Sequence, residues 1–325
     1  MGNLFARWIA VILATAFCTA AAVAAEDYPT RSIRMIIPFS AGGPTDVVGR
    51  IVGQHLTEIW GETIVVDNRP GAAGTIAAAI AIRAAPDGYT LLFGSNSTFA
   101  VNPAVFSKLP YDVFRDLELV GLAAYAPHLL AIRAGIPANT VAELIALARK
   151  QPGKLTFASS GAGAIIHMSG ELFKYHAGID ILHVPFKGGA PATVAMLSGE
   201  VDMMMNDLSQ FLVHIKSGKL RGLAIAHPQR SALAPEMSTF AEVGFPGVES
   251  GSWFALAAPA KTPKAVVGSI SDGLGKVLVR PEYKERLSGI GMEPLRMTPE
   301  QTAAYTKREI EKWTKVAKAA NVRLD

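Results

Sequence analysis

Ile36-Ile37-Pro38-Phe39-Ser40-Ala41-Gly42-Gly43-Pro44-Thr45-Asp46 is the stretch on which the reading of the fold turns. The apolar run from Ile33 to Ile37 has the composition of a buried strand, and a turn rich in Gly and Pro follows it. After Thr45 the pattern becomes helical, with Val47, Val48, Ile51, Val52 and Leu56 falling on one face. Thr45 or Asp46 is the expected N-cap. A strand, a glycine turn and a capped helix bring free backbone N–H groups to one point. Anions are attracted there by unpaired donors and by the helix dipole. The same device recurs at Phe157-Ala158-Ser159-Ser160-Gly161-Ala162-Gly163-Ala164-Ile165-Ile166-His167-Met168. Two such loops predict two α/β lobes that face each other with one loop each.

Working outward, the 325 residues suffice for two domains. Residues 1–25 carry Arg7, an apolar run from Trp8 to Phe17, and small residues ending Ala22-Val23-Ala24-Ala25. This is the three-part layout of a secretory signal peptide, with cleavage expected after Ala24 or Ala25 and a periplasmic destination. The apolar run is short for a membrane anchor, and bulky Phe17 before Cys18 argues against a lipoprotein. Cys18 is the single cysteine, so the mature chain is expected to have no disulfide, thiol nucleophile or cysteine metal site. Loss of Arg7 lowers the formal charge from +4 to +3, and Lys and Arg are scattered, which gives nucleic-acid binding no support.

From residue 26 to about 122 the pattern alternates strand and helix, which implies a mainly parallel sheet covered on both faces. Val120 to Ile132 is nearly all apolar or small, and reads as one strand that begins in the first lobe and ends in the second. Thr140, three residues before Glu143, has capping-box spacing for a helix to Lys150. Trp253 to Ala258 reads as a return crossing, and the largely helical tail from Pro263 is expected to pack on the first lobe. The expected division is lobe 1 at 26–122 plus 253–325 and lobe 2 at 123–252. Ligands of open α/β sheets sit beyond the carboxyl ends of strands, so the loops that matter are 38–46, 94–98, 158–164, 185–191 and 206–209.

Several linked motifs carry a resemblance. Pro38-Phe39-Ser40-Ala41-Gly42-Gly43 with Asp46 and Arg50, Asn68-Arg69-Pro70-Gly71-Ala72-Ala73-Gly74, and Pro86-Asp87-Gly88-Tyr89-Thr90-Leu91-Leu92 come first. Ser160-Gly161-Ala162-Gly163 with His167, and His183-Val184-Pro185-Phe186-Lys187-Gly188 with Pro191-Ala192, follow in order. Together they resemble the signatures of the tripartite tricarboxylate transporter receptors, also called Bug receptors, over nearly the whole mature chain. The resemblance implies a two-lobe periplasmic binding protein of type II-like fold. Such a protein would be monomeric and without cofactor, would capture a small organic carboxylate between its lobes, and would deliver it to membrane permease subunits. Carried onto this sequence, it places Phe39, Ala41, Gly42, Gly43 and Asp46 in the first lobe's share of the site, beside Ser95, Asn96 and Ser97. Ser159, Ser160, Gly161 and Gly163 would close from the second lobe, with Asn206 and Asp207 at the rim. Phe39 and Phe186 stand where Tyr is frequent, Ala73 where Gly is usual, and Ala164-Ile165 where a small hydroxyl residue is common. Each departure removes polar capacity and favours a more apolar carboxylate; dicarboxylates, aromatic carboxylates and acidic amino acids all stay open.

Other chemistries fit less well. No G-x-x-x-x-G-K-[ST] motif is present, and neutral N–H donors suffice for a carboxylate that must also be released. The spacing of His167, His176 and His183 does not give the short-range zinc pattern; His167 is expected to support the second loop and His183 to end a strand. Met203-Met204-Met205 reads as core strand and Lys187 as a surface lysine. The Ser159-Ser160 turn resembles a nucleophile turn but lacks G-x-S-x-G. A secreted hydrolase or lyase using the same cleft, and a ligand sensor for a membrane signalling protein, are the rival readings.

Overall fold

The computed structural model describes residues 28–324; the expected signal peptide, its expected cleavage site and Cys18 lie outside the described residues. The first half runs β1 (Ile33–Ile37), α1 (Pro44–Trp60), β2 (Ile64–Asn68), α2 (Thr75–Ile82), β3 (Thr90–Ser95), α3 (Asn102–Val105) and α4 (Val113–Asp116). A long strand, β4 (Leu117–Arg133), leads into α5 (Val141–Lys150), β5 (Thr156–Ser159), α6 (Ile165–Ala177), β6 (Leu182–Pro185), α7 (Gly189–Ser198), β7 (Met203–Asp207), α8 (Ser209–Lys216) and β8 (Leu220–Ile225). The chain returns through β9 (Gly251–Pro259) to α9 (Lys264–Leu278), α10 (Pro281–Gly289), β10 (Glu293–Pro294) and α11 (Pro299–Ala319).

The strands form one mixed sheet in the order β2-β1-β3-β9-β4-β7-β5-β6, with β8 and β10 also paired to β4. β2, β1 and β3 are parallel, as are β6, β5 and β7; β9 and β4 run antiparallel between them. Helices cover both faces, and the period-two alternation of β1 shows it. Ile33, Met35 and Ile37 pack with α1 and α9, whereas Ile36 packs with Ala77, Ala78 and Ala81 of α2. A mostly apolar strand is what such double coverage demands, and Arg34, the one exception in β1, is paired with Asp67 of β2.

β4 is the spine. As far as Pro127 it pairs with β9, and from His128 onward it pairs with β7 and β8. One strand therefore pairs in both parts of the sheet, and the nearly all-apolar run Val120 to Ile132 forms most of it. The tail differs from expectation. α9 packs against α1 and β4, but α11 lies against β4, α3 and α6, so it touches both halves. β8 was not anticipated, and Arg221 and Gly222 within it explain why the alternation is weak.

Two local features correct the sequence reading. The N-cap of α1 is Gly43, with Pro44 at the first helical position, rather than Thr45 or Asp46. Thr140 does cap α5, accepting from the Glu143 N–H at 3.1 Å, while the Glu143 carboxylate reaches back to the Asn139 N–H. Ala73, where glycine is usual, adopts φ 53° and ψ 28°, in the left-handed region. An L-residue there costs about 1–2 kcal/mol, partly offset by its lower unfolded-state entropy. Ala73→Gly is therefore expected to stabilise the fold by about 0.5–1 kcal/mol, measured as a rise in the urea midpoint; a fall would show that the turn is not strained.

Candidate ligand-binding site

A cavity of about 680 Å³ opens where β1, β3, β5, β6 and β7 end. Phe39, Gly42, Pro44, Thr45 and Val47 line it from the β1–α1 junction, and Ser95, Asn96 and Ser97 from the end of β3. Ser160, Ile165 and Ile166 line it around the β5–α6 loop, and Gly188 to Ala190 at the start of α7. Asn206, Asp207, Ser209 and Gln210 come from the β7–α8 junction. Ser252 and Phe254 of β9, with Ile290 and Met292 after α10, complete the wall.

The first turns of α1, α6, α7 and α8 all reach this cavity, and none is capped by a side chain. Gly43, Ala164, Gly188 and Leu208 occupy the N-cap positions and have no side-chain oxygen to offer. By contrast, Asp112, Thr140 and Thr298 cap helices that begin elsewhere. α2, α9 and α10 also lack side-chain caps; what sets the four apart is convergence on one space. The hydroxyls of Thr45, Ser95, Ser97, Ser160 and Ser209 add donors that make no hydrogen bond to another described residue. Positive helix ends and free hydroxyls around a cavity suit an anion.

Asp46 builds the first loop instead of facing the cavity. It is 2% exposed, and its carboxylate accepts from the Gly42 N–H (2.8 Å), Arg50 Nε (3.0 Å) and Asn68 Nδ2 (2.9 Å). Asn68 Nδ2 also donates to the Phe39 carbonyl at 3.0 Å. Burial alone would push the Asp46 pKa up, but the hydrogen bonds from Arg50, Gly42 and Asn68 outweigh it and hold the carboxyl below the usual range.

The second loop is held by histidines. Ser159 is fully buried, with its Oγ 2.6 Å from His183 Nε2. The His167 Nδ1 accepts from the Gly163 N–H at 3.0 Å, the supporting role expected of it. The two imidazoles stack at 3.7 Å with 16° between their planes. Burial, followed by the neighbouring His167, pushes His183 down to about 4, so it is neutral at pH 7. A metal binds in the plane of an imidazole, and face-to-face rings cannot share one. Among the described residues no three His, Cys, Asp or Glu side chains converge on a metal position. His183 lies near the start of β6 rather than at its end.

Behind the cavity, where β4 changes partners, His128 is fully buried. Its Nδ1 meets Ser169 Oγ (2.9 Å) and Ser250 Oγ (3.0 Å), and its Nε2 meets Ser252 Oγ and Asp207 Oδ1, both at 3.3 Å. The Ser252 hydroxyl donates to Asp207 Oδ1 at 2.7 Å. These residue types could suggest a catalytic triad, but the arrangement is wrong for one. One imidazole nitrogen faces both Ser252 and Asp207, and the serine proton goes to the carboxylate instead of the base. Ser159, paired with His183, is sealed from the cavity.

Of the residues expected at the site, Phe39, Gly42, Ser95, Asn96, Ser97, Ser160, Asn206 and Asp207 come together on the cavity wall. Ala41, Gly43, Asp46, Ser159, Gly161 and Gly163 do not line it. Gly163 is buried under the Leu324 side chain. Lys187 is exposed and does not line the cavity, and the three methionines of β7 are buried core. Ser252, Phe254, Ile290 and Met292 were missed, as were Val47, Ile165, Ile166 and Gln210 just beyond the expected loops. Ser252 immediately precedes the predicted return strand and could have been found from it, whereas nothing local marks Ile290 or Met292.

A two-lobe α/β fold with a ligand-sized cavity between its halves is the architecture of the periplasmic binding proteins. Residues 48–322 match the family described as the tripartite tricarboxylate transporter family receptor, and the chain belongs to that family. It is 35% identical to Protein BugT of Bordetella pertussis over 317 residues, 97% of each chain. Among solved structures it is similar to Rpa4515 of R. palustris with adipate, at 34% identity and TM-score 0.78, covering 91% of this chain and 99% of that one. It is likewise similar to MatC of Rhodopseudomonas palustris with bound malate, at 31% identity and TM-score 0.74, covering 89% and 99%.

Proposed function

We propose that this protein is an exported receptor that captures a small carboxylate in the cavity between its halves and hands it to the membrane subunits of a tripartite tricarboxylate-type transporter. The convergence of four uncapped helix N-termini on one cavity carries this reading. The adipate and malate bound by two similar proteins support the substrate class. Among the described residues no helix is long and apolar enough to cross a membrane, which suits a periplasmic receptor working with separate membrane subunits.

The residues we assign to the ligand are Phe39, Gly42, Ser95 to Ser97, Ser160, Asn206 and Asp207, together with the backbone of the four helix starts. Asp46, Ser159 and Gly163 hold the loops in shape. We place the hinge at Pro127–His128 in β4 and at the return crossing by Ser250–Gly251. Ligand favours the closed form only to the extent that it binds that form better.

A thermal-shift screen of residues 26–325 against organic acids, each paired with its amide or ester, tests the reading. A ligand that binds only the folded state raises the melting temperature by mass action, by an amount equivalent to about 2.7 kcal/mol at a hundred times its Kd. Shifts are expected for at least one acid and not for its neutral partner. No shift with any acid, in protein freed of co-purified ligand, would overturn the proposal. Conversion of a bound acid to product would favour the hydrolase or lyase reading.

A further inference from the structure

We propose that Asp207 selects, among carboxylates, those that carry an ammonium or hydroxyl group remote from the carboxylate, and that it rejects dicarboxylates. The inference rests on the carboxylate reading above and sharpens it. Among the described residues Asp207 is the only charged one on the cavity wall, and no Lys, Arg or His lines the space. Arg50, four residues beyond the first loop, is committed to Asp46 and Asn68, and Arg34, four residues before it, to Asp67. A second carboxylate on the ligand would therefore meet no positive side chain.

It would meet a negative one. Ser252 and His128 both approach Asp207 Oδ1, which leaves Oδ2 without a partner among the described residues. Asp207 lines the cavity, and a carboxylate offers acceptors only, so its unpartnered oxygen suits a donor on the ligand. Two carboxylates sharing a site cannot both ionise without a large penalty.

The adjacent residue points the opposite way chemically. Asn206 Oδ1 accepts from the Asp207 N–H at 2.8 Å, which commits its acceptor and leaves its Nδ2 as a donor. That Nδ2 lies beside Gly189, 3.3 Å from where a Cβ there would sit, at the first turn of α7. Successive residues of β7 thus split the wall. Asn206 joins the starts of α1, α6 and α7 in the part that receives the carboxylate, and Asp207, directly before the start of α8, forms with Ser252 the part that receives a donor. The apolar surface of Phe39, Val47, Phe254, Ile290 and Met292 is available to the carbon chain between the two polar groups.

Calorimetric titration of wild type and Asp207→Asn with matched sets of unbranched acids tests the assignment. Each set holds a dicarboxylate, the ω-amino acid and the ω-hydroxy acid of the same chain length, and several lengths are used. At the length that binds tightest, wild type is expected to prefer the amino or hydroxy acid over the diacid by at least about tenfold. Asp207→Asn, nearly isosteric, is expected to bring that ratio within about threefold of unity or to reverse it. The inference is overturned if wild type prefers the dicarboxylate, or if the variant keeps the wild-type ratio. Either result with measurable binding leaves the carboxylate reading standing, whereas no binding by any acid removes both. Should the variant fail to fold, the wild-type preference decides alone.

Discussion

Gly291→Val is expected to destabilise the protein by about 2–5 kcal/mol, the sum of a left-handed backbone penalty and overpacking. Gly291 has φ +75°, and a Cβ built on it would overlap the Cβ of Ser209 and lie 3.2 Å from the Ser209 Cα. Relief therefore requires movement of main chain, not a change of rotamer. The contact joins elements seated on opposite halves. β10, just after Gly291, pairs with Ala124–Tyr125 of β4, while α8, which starts at Ser209, packs on β7 and β8. Gly291→Ala already carries the overlapping Cβ and the left-handed backbone, so it should lose most of this, about 2–3 kcal/mol, with the branched valine adding the rest. Urea midpoints check both, and ligand titration adds a second readout, because Ile290, Met292 and Ser209 all line the cavity. A valine variant with the wild-type midpoint and wild-type affinity would show that the two segments are not pressed together in solution.

Trp313→Ala is the second large effect, expected at about 3–5 kcal/mol from lost burial and the cavity left behind. Trp313 is 0% exposed on α11, the helix that touches both halves, and its Nε1 donates to Glu309 Oε2 at 3.1 Å. Trp313→Phe separates the components. It keeps most of the packing and removes one hydrogen bond, so about 1–2 kcal/mol should be lost. Glu309 retains Lys312 and the Trp253 N–H, which limits the damage from the missing indole donor. Chemical denaturation of both variants provides the test; an alanine variant losing less than the phenylalanine variant would exclude burial as the main contribution.

The fold was legible wherever burial on both faces forced a nearly continuous apolar pattern, broken only by Arg34 in one run and His128 in the other. Ile33 to Ile37 had to be a strand, and Val120 to Ile132 was too long and too apolar to belong to one half only. Loops expected to matter do meet at one cavity, but which of their residues line it was not legible, and a single residue matters in a strand. Ser159 and Ser160 are equal candidates as sequence, but successive residues of an extended chain face opposite ways. Ser159 turns to His183 in the interior, and Ser160 lines the cavity. Asp46 was visible as a polar residue at a helix start, yet its use depended on Asn68, twenty-two positions away. Ile290 and Met292 reach the cavity only through the return of the chain across the sheet, which no local pattern encodes.

The shared strand also governs how the gene can be handled. Cutting within β4 would strip β9 of its longest partner on one side, or remove from β7 and β8 the strand they both pair with. Expression of either half by itself should therefore yield an edge-exposed, aggregation-prone fragment. An optical biosensor built from this receptor should carry its reporter in an exposed turn such as Gly199–Glu200, with the strand that bridges the halves left whole.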